Sequence, residues 1–122
     1  PVYFINLDQS TKRREHFESS IAHLPRHLSA TIILKRVTAI TTTDIESMLS
    51  NGTFVLNGVE LSERGISREG ELKRYTRYEV ACTLSHLKAI MQAYIDGHES
   101  ALIVEDDAVI TAEFLKTWKH YA

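Results

Sequence analysis

Three consecutive carboxylates follow a short apolar run in the stretch ALIVEDDAVI, Ala101 to Ile110. Because side chains alternate along an extended strand, Glu105 and Asp107 would share one side of it and Asp106 would take the other. Two carboxylates on one side repel each other unless a cation or a proton lies between them. Mg²⁺ and Mn²⁺ prefer such oxygen ligands and keep positions for substrate phosphates. The triplet is therefore either a divalent-cation site or a set of strand-end acids that leads into a solvated turn.

A second polar group follows the first apolar run, Val2 to Leu7. Asn6 and Asp8 lie at its end, and Arg13 and Arg14 lie in the helix that we expect next. These side chains would contact a nucleotide, or alternatively they cap a helix and face solvent. The sequence has neither a glycine-rich dinucleotide fingerprint nor a P-loop. A diphosphate would therefore be held by a metal and by cationic side chains.

Candidates for proton transfer are fewer. His86 lies beside an apolar stripe of a predicted helix, where a lone histidine is more often structural than catalytic. Cys82, one turn earlier, is expected to be a small buried apolar residue. The sequence shows neither a Ser-His-Asp nor a Cys-His arrangement. With one cysteine in the chain, a disulfide framework and a cysteine-based zinc site are both excluded.

Strands and helices alternate along the predicted chain, which indicates an α/β fold with a parallel sheet and right-handed crossovers. β-Rich apolar runs predict strands over residues 2–7, 30–40 and 100–107. Asn57-Gly58 separates two further apolar runs and predicts a hairpin. Ligands of such sheets bind at the carboxyl ends of the strands, where the polar residues described above are expected.

Capping signals and apolar spacing mark the helices. Asp8 or Ser10 is expected to cap the first helix, which ends before Pro25. Thr43-Asp44-Ile45-Glu46 has the spacing of a capping box for a short helix. A second such box starts a helix from about Arg77 to Asp96, and a last helix begins after Thr111. One apolar stripe runs along the long helix: Val80, Leu84, Leu87, Met91, Tyr94 and Ile95.

Size and composition exclude several classes of protein. The 122 residues are 43% apolar and 25% charged, as in one globular domain. A formal charge of −2 with mixed signs disfavours a nucleic-acid partner. The sequence contains no apolar run of the ~20 residues that span a bilayer and no signal-peptide pattern. The sequence begins with Pro1 rather than Met, so it is compatible with a further segment upstream of residue 1.

Several ordered motifs resemble the N-terminal half of glycosyltransferase family 25, which includes lipooligosaccharide (LPS) galactosyltransferases of bacteria and procollagen galactosyltransferases of animals. The matching stretches are VYFINLDQSTKRRE, RVTAI, YEVACTLSHLKAI and ALIVEDD, in that order. The resemblance implies a GT-A-like, Rossmann-type αβα sandwich with a mostly parallel sheet. It also implies that residues 1–122 form a single glycosyltransferase domain, a donor-binding half that is incomplete at its C-terminus.

The resemblance also implies roles for particular residues. Glu105 and Asp107 would bind Mn²⁺ or Mg²⁺, and Glu79 and His86, within the third stretch, are candidate catalytic residues. Substrate-binding residues would be Asn6, Leu7, Asp8, Arg13, Arg14 and Asp106. The implied reaction is an inverting transfer of galactose from UDP-galactose to a glycan, a lipooligosaccharide or a protein hydroxyl.

Three positions depart from the family pattern, because Thr41, Tyr78 and Ala81 stand where glycine is common. A non-catalytic relative that keeps the fold is therefore an alternative. LIVEDDA also resembles the opening of a Mg²⁺-binding receiver domain, but there the acids follow the first strand of the domain. The implied location is the cytoplasm, at the membrane, for a bacterial enzyme and the endoplasmic reticulum or Golgi lumen for a eukaryotic one.

Overall fold

The computed structural model describes residues 1–52, 60–62 and 74–121. The hairpin predicted at Asn57-Gly58 lies outside these residues. The elements are β1 (Val2–Asn6), α1 (Thr11–Ala22), α2 (Arg26–Ser29), β2 (Leu34–Thr38), α3 (Thr42–Ser50), β3 (Glu60–Ser62), β4 (Arg74–Thr76), α4 (Arg77–Ile95), β5 (Leu102–Glu105) and α5 (Ala112–Tyr121). A search of the described helices finds none that is both long and apolar enough to cross a bilayer.

The chain divides into two compact units, Pro1–Thr38 with His86–Ala122, and Ala39–Ser85. The first unit holds a sheet in the order β2-β1-β5, and both pairs of strands are parallel. Its register aligns Ile5 with Val37 on one side and with Glu105 on the other. The α/β class and the parallel sheet predicted from sequence are therefore confirmed. All three strands end at one edge of the sheet.

One face of this sheet carries the main apolar core. Val2 and Phe4 of β1 are buried there with Phe17 and Ile21 of α1, as the apolar spacing of the sequence indicates. The rings of Phe4 and Phe17 have centroids 4.7 Å apart. Leu28, Ile110 and Leu115 complete the buried cluster. Each fully buried side chain of this size contributes about 1.5–3 kcal/mol, so the cluster holds α1 against the strand that ends at Asn6.

The second predicted strand is shorter than residues 30–40, because the residues that open it are hydrogen-bonded to α2. The backbone N–H groups of Ala30, Thr31 and Ile32 donate to carbonyl oxygens of α2 residues 26–29. These N–H groups are therefore not available to a neighbouring strand, and β2 begins only at Leu34.

The predicted helix caps are confirmed only in part. Ser10 is the N-cap residue of α1, but its side chain makes no capping hydrogen bond, and Asp8 accepts a hydrogen bond from Arg36 instead. The capping box of α3 lies two residues earlier than predicted, between Thr41 and Asp44. The Thr41–Asp44 box satisfies two N–H groups at the start of α3 reciprocally.

The long helix α4 runs from Arg77 to Ile95 as predicted, and Gly97, with φ of +82°, follows it. Its buried positions are four small residues at four-residue spacing: Ala81, Ser85, Ala89 and Ala93. By contrast, four members of the predicted stripe are at least half exposed: Leu87, Met91, Tyr94 and Ile95. The small side chains, rather than the large apolar ones, therefore mark the buried side of α4.

In the second unit, Ser85 connects the first part of α4 to the segment before α3. Its hydroxyl donates to the Ala81 carbonyl oxygen (2.7 Å) and accepts from the Ile40 N–H (2.9 Å). The same unit contains a short parallel pair of strands, β3 and β4.

Tyr3 points away from the main core and meets Asp96 just after α4. Its hydroxyl donates to Asp96 Oδ2 at 2.6 Å, and Lys35 Nζ donates to the same oxygen at 2.9 Å. Burial, followed by the hydrogen bond to Asp96, raises the pKa of Tyr3 to about 12. Hydrogen bonds from Tyr3, Lys35 and Gln92 lower the pKa of Asp96 to about 2. The ionised Asp96 thus ties the end of α4 to β1 and β2.

We predict that the substitution Asp96→Asn lowers stability at neutral pH and that its effect fades in acid. The pKa of Asp96 is lowered from 3.8 to about 2 by folding, so its contribution is present above pH 4 and is lost as the pH falls toward 2. Urea unfolding of both proteins between pH 7 and pH 2 measures the difference. Glu99→Gln, at an exposed acid outside this group, is the control. A difference that stays constant down to pH 2 would contradict the assignment.

Candidate functional site

A hydrogen-bonded group of polar side chains lies where the three parallel strands end. At its centre is Asn6, the last residue of β1, whose side chain is buried with the residue 1% exposed. Asn6 Nδ2 donates to Asp106 Oδ2 at 2.8 Å and to the Ser10 carbonyl oxygen at 3.1 Å. Asn6 Oδ1 accepts from Arg36 Nε at 2.9 Å. Both amide hydrogens and the amide oxygen therefore have partners, as a buried amide requires.

The orientation of the Asn6 amide follows from the chemistry of its neighbours. A guanidinium group only donates hydrogen bonds, so the atom of Asn6 that faces Arg36 must be the oxygen. The amide nitrogen then faces the Asp106 carboxylate, which accepts. Arg36 and Asp106 therefore fix the same orientation from opposite sides.

Asp106 is held at three points. Its backbone N–H donates to the Ile5 carbonyl oxygen at 3.1 Å, which continues the pairing with β1 past the end of β5. Its Oδ1 lies 2.7 Å from Arg13 Nη2 of α1, and its Oδ2 accepts from Asn6. The Asp106 side chain is 8% exposed, whereas that of Asp107 is 67% exposed and Glu105 is also exposed. The middle acid is thus anchored, and the two outer acids face solvent.

Arg36 of β2 is the part of this group that the sequence analysis did not single out. Its Nη2 donates to Asp8 Oδ1 at 2.7 Å and to the Asn6 carbonyl oxygen at 3.2 Å, and its Nη1 donates to Thr38 Oγ1 at 3.1 Å. The hydrogen bond from Arg36 lowers the pKa of Asp8. Lys88 Nζ donates to the Thr38 carbonyl oxygen at 2.8 Å. The only sequence signal for Arg36 was its place in the stretch RVTAI.

The first turn of α1 is positively charged. Lys12, Arg13 and Arg14 occupy it together, no acidic residue does, and the N-cap side chain makes no hydrogen bond. Cations are unfavourable at this end of a helix, where the macrodipole is positive, and anions are favourable. Arg14 is paired with Glu18 one turn later (2.9 Å), whereas Arg13 extends to Asp106 and lies 3.9 Å from Asp107. Three cations thus lie at a helix end that favours anions, and one of them, Arg13, contacts the acidic triplet.

The remaining predicted residues are distributed as follows. Leu7 is half-buried directly after β1. Glu79 is exposed in the first turn of α4, and His86 and Cys82 are half-buried further along this helix. The catalytic roles of Glu79 and His86 stay predictions.

The carboxylates suit one kind of metal site. Within the described part of the chain, no group of three or more His, Cys, Asp or Glu side chains converges on a point where it could hold a metal ion. However, Mg²⁺ is commonly held by one or two carboxylates and completes its shell with water and substrate phosphates. Glu105 and Asp107 are both exposed carboxylates, the type of oxygen ligand that such a cation takes. Their role as metal ligands stays a prediction.

Comparison with known proteins identifies a family for this chain. The family model described as glycosyltransferase family 25 (LPS biosynthesis protein) matches residues 1–122, the whole sequence. No curated protein and no solved structure matches the chain.

Two substitutions of the central residue Asn6 are predicted to lower the stability of the protein with different pH dependence. Asn6→Leu leaves Arg36 Nε and Asp106 Oδ2 without their partner, which costs about 1–3 kcal/mol for a buried group and less for Arg36, whose side chain is 20% exposed. Asn6→Asp instead places a carboxylate against Asp106. Because one of two neighbouring carboxylates takes up a proton as the pH falls, the stability lost in Asn6→Asp should partly return between pH 7 and pH 4. The loss in Asn6→Leu should not depend on pH in that range.

Urea unfolding of the two variants and the unsubstituted protein at both pH values measures these losses. Equal pH dependence of the two variants would mean that residue 6 does not face the Asp106 carboxylate.

Proposed function

The chain belongs to glycosyltransferase family 25, which confirms the resemblance seen in its sequence, and on that premise we propose that it binds the nucleotide-sugar donor of a metal-dependent galactosyltransferase. The donor in this proposal is UDP-galactose, and the acceptor is a hydroxyl of a glycan, a lipooligosaccharide or a protein. The proposal includes a GT-A-like fold, with which the three-stranded parallel sheet is compatible, and a single glycosyltransferase domain over residues 1–122.

The observation that carries the proposal is the division within the acidic triplet. Asp106 is anchored by Asn6 and Arg13, while Glu105 and Asp107 are exposed at the carboxyl end of β5. Ligands of open α/β sheets bind at this edge. In the proposal Glu105 and Asp107 hold Mn²⁺ or Mg²⁺. A divalent cation bound there supplies Lewis-acid stabilisation of the charge on the departing diphosphate.

The proposed placement of the nucleotide is supported by the positive charge at the start of α1. The first turn of α1 offers Arg13 and Arg14 together with a helix end that favours anions, and Asn6, Leu7 and Asp8 lead into this helix from β1. A UDP diphosphate placed there would bring its negative charge to these cations. Asp106 keeps two carboxylate lone-pair positions beyond its contacts with Asn6 and Arg13, which a ribose hydroxyl can use.

The proposed reaction is a direct displacement with inversion at the anomeric carbon. The bond from that carbon to the phosphate oxygen of UDP breaks while the bond to the acceptor oxygen forms, and UDP departs with the electron pair. The acceptor hydroxyl loses its proton to a general base. Glu79 and His86 are the candidates for that base in this chain.

Calorimetric titration of UDP with and without Mn²⁺ tests the donor site. We expect saturable binding that requires Mn²⁺ and that is lost in the double variant Glu105→Ala, Asp107→Ala, because both proposed ligands are then missing. The control is Glu99→Ala, Glu113→Ala, which removes the same charge from two exposed acids on either side of β5 and should bind as the unsubstituted protein does. Binding that is indifferent to Mn²⁺ or to the first double variant would refute the metal site.

A turnover assay separates an enzyme from a binding module of the same family. The protein is incubated with UDP-galactose, Mn²⁺ and either lipooligosaccharide or a hydroxylysine-containing peptide, and released UDP is measured. We expect release of UDP only when an acceptor is present, because the acceptor oxygen displaces it. Mn²⁺-dependent UDP binding without release of UDP with either acceptor would favour the non-catalytic alternative.

A further inference from the structure

Arg36 joins three residues of the strand-end group, as many as Asn6 does. Its side chain is 20% exposed and lies on β2, two residues before that strand ends. Through Nε, Nη1 and Nη2 the guanidinium reaches the Asn6 side chain, the Asn6 backbone, the Asp8 carboxylate and the Thr38 hydroxyl. Its direct contacts within this group are therefore with β1, with the residues that follow β1, and with its own strand.

The position of Asp106 depends on Arg36 through Asn6. Without a donor at Nε, the Asn6 oxygen loses its partner on β2, and only the two acceptors of Nδ2, the Asp106 carboxylate and the Ser10 carbonyl oxygen, still favour the present orientation. A half-turn of the amide, which Arg36 no longer opposes, would point the oxygen at the Asp106 carboxylate. Two acceptors would then face each other in a buried place, which costs free energy. Asp106 would keep only Arg13 as a side-chain partner in the group described above.

We infer that Arg36 is a positioning residue: it sets the Asn6 amide and, through Asn6, fixes Asp106 and thereby the aim of Glu105 and Asp107. The effect on donor binding rests on the proposed function. The effect on Asn6 does not, and it can be measured without any ligand.

This role depends on the forked arrangement of the N–H donors of the guanidinium group rather than on its charge. Arg36 donates from different nitrogen atoms to Asn6 and to Asp8 at the same time. A lysine carries its donors on one nitrogen at the end of a flexible chain, so it keeps the charge but does not reproduce the fork. Arg36→Lys therefore separates positioning from simple attraction between charges.

Lys35 offers a matched control on the same strand. It is the neighbouring residue, it also makes an ion pair (with Asp96, 2.9 Å), and its side chain points to the opposite face of the sheet. Lys35→Met should lower the melting temperature without altering the strand-end group. Arg36→Met removes both the fork and the charge.

The first measurement is the affinity for UDP in the presence of Mn²⁺, together with the melting temperature of each variant. Loss of a group that hydrogen-bonds directly to a metal ligand typically weakens metal binding by about 10- to 100-fold. Because Arg36 acts through Asn6 and Asp106, we expect the lower end of that range, about 10-fold, for the loss of UDP affinity in Arg36→Met. Arg36→Lys should recover only part of the loss, and Lys35→Met should bind as the unsubstituted protein does. Should Arg36→Met fail to fold, the UDP affinities of Arg36→Lys and Lys35→Met are compared instead and test the same inference.

The inference is overturned if Arg36→Met retains full affinity, if Arg36→Lys restores it completely, or if Lys35→Met loses as much. The second measurement is the hydrogen exchange of the Asn6 side-chain amide, followed by NMR in the absence of ligand. Both of its hydrogens are donated within the fold, so exchange should be slow and should accelerate in Arg36→Met but not in Lys35→Met.

The two measurements distinguish failure of the inference from failure of the proposed function. If the unsubstituted protein does not bind UDP with Mn²⁺, the proposed function fails, and exchange at Asn6 alone decides whether Arg36 positions that amide. If exchange at Asn6 is unchanged in Arg36→Met, the positioning role is wrong whatever the affinities are.

Discussion

The buried amide of Asn6 is the constraint on which the strand-end group depends. It lies between a guanidinium on β2 and a carboxylate that follows β5, and it offers each of them the atom it needs. An apolar residue at this place would leave both charged groups without a buried partner, and an aspartate would repel one of them. Asparagine is the side chain of this size that accepts on one side and donates on the other.

The anchoring of Asp106 gives the three acids different surroundings despite their adjacent places in the chain. Asp106 is tied to β1 through its own N–H and its carboxylate, and to α1 through Arg13. Glu105 and Asp107 flank this fixed point and stay exposed. A cation would therefore meet two solvated carboxylates whose backbone is already held in place, so less ordering has to accompany binding. The positive first turn of α1 lies beside them, where Arg13 approaches Asp107.

Local sequence patterns correctly predicted the elements that depend on short-range apolar spacing. The apolar run before Asn6, the spacing of Phe17 and Ile21, and the extent of α4 all matched the structure. The role of Arg36 was not predictable in this way, because its contacts with Asn6 and Asp8 join residues 30 and 28 positions apart and arise only from the parallel register of β1 and β2. The start of β2 was missed for a similar reason, since the hydrogen bonds that delay it come from α2. The buried side of α4 was hidden by its small residues, which carry little hydrophobic signal.

The most direct test of the central claim is a crystal structure of the protein with UDP and Mn²⁺, in which anomalous scattering locates the manganese. We expect the ion at coordination distance from carboxylate oxygens of both Glu105 and Asp107, with Asp106 still hydrogen-bonded to Asn6 and paired with Arg13. Manganese bound by Asp106 in place of those contacts, or at a site away from the carboxyl end of β5, would contradict the division between an anchored middle acid and two metal-binding neighbours.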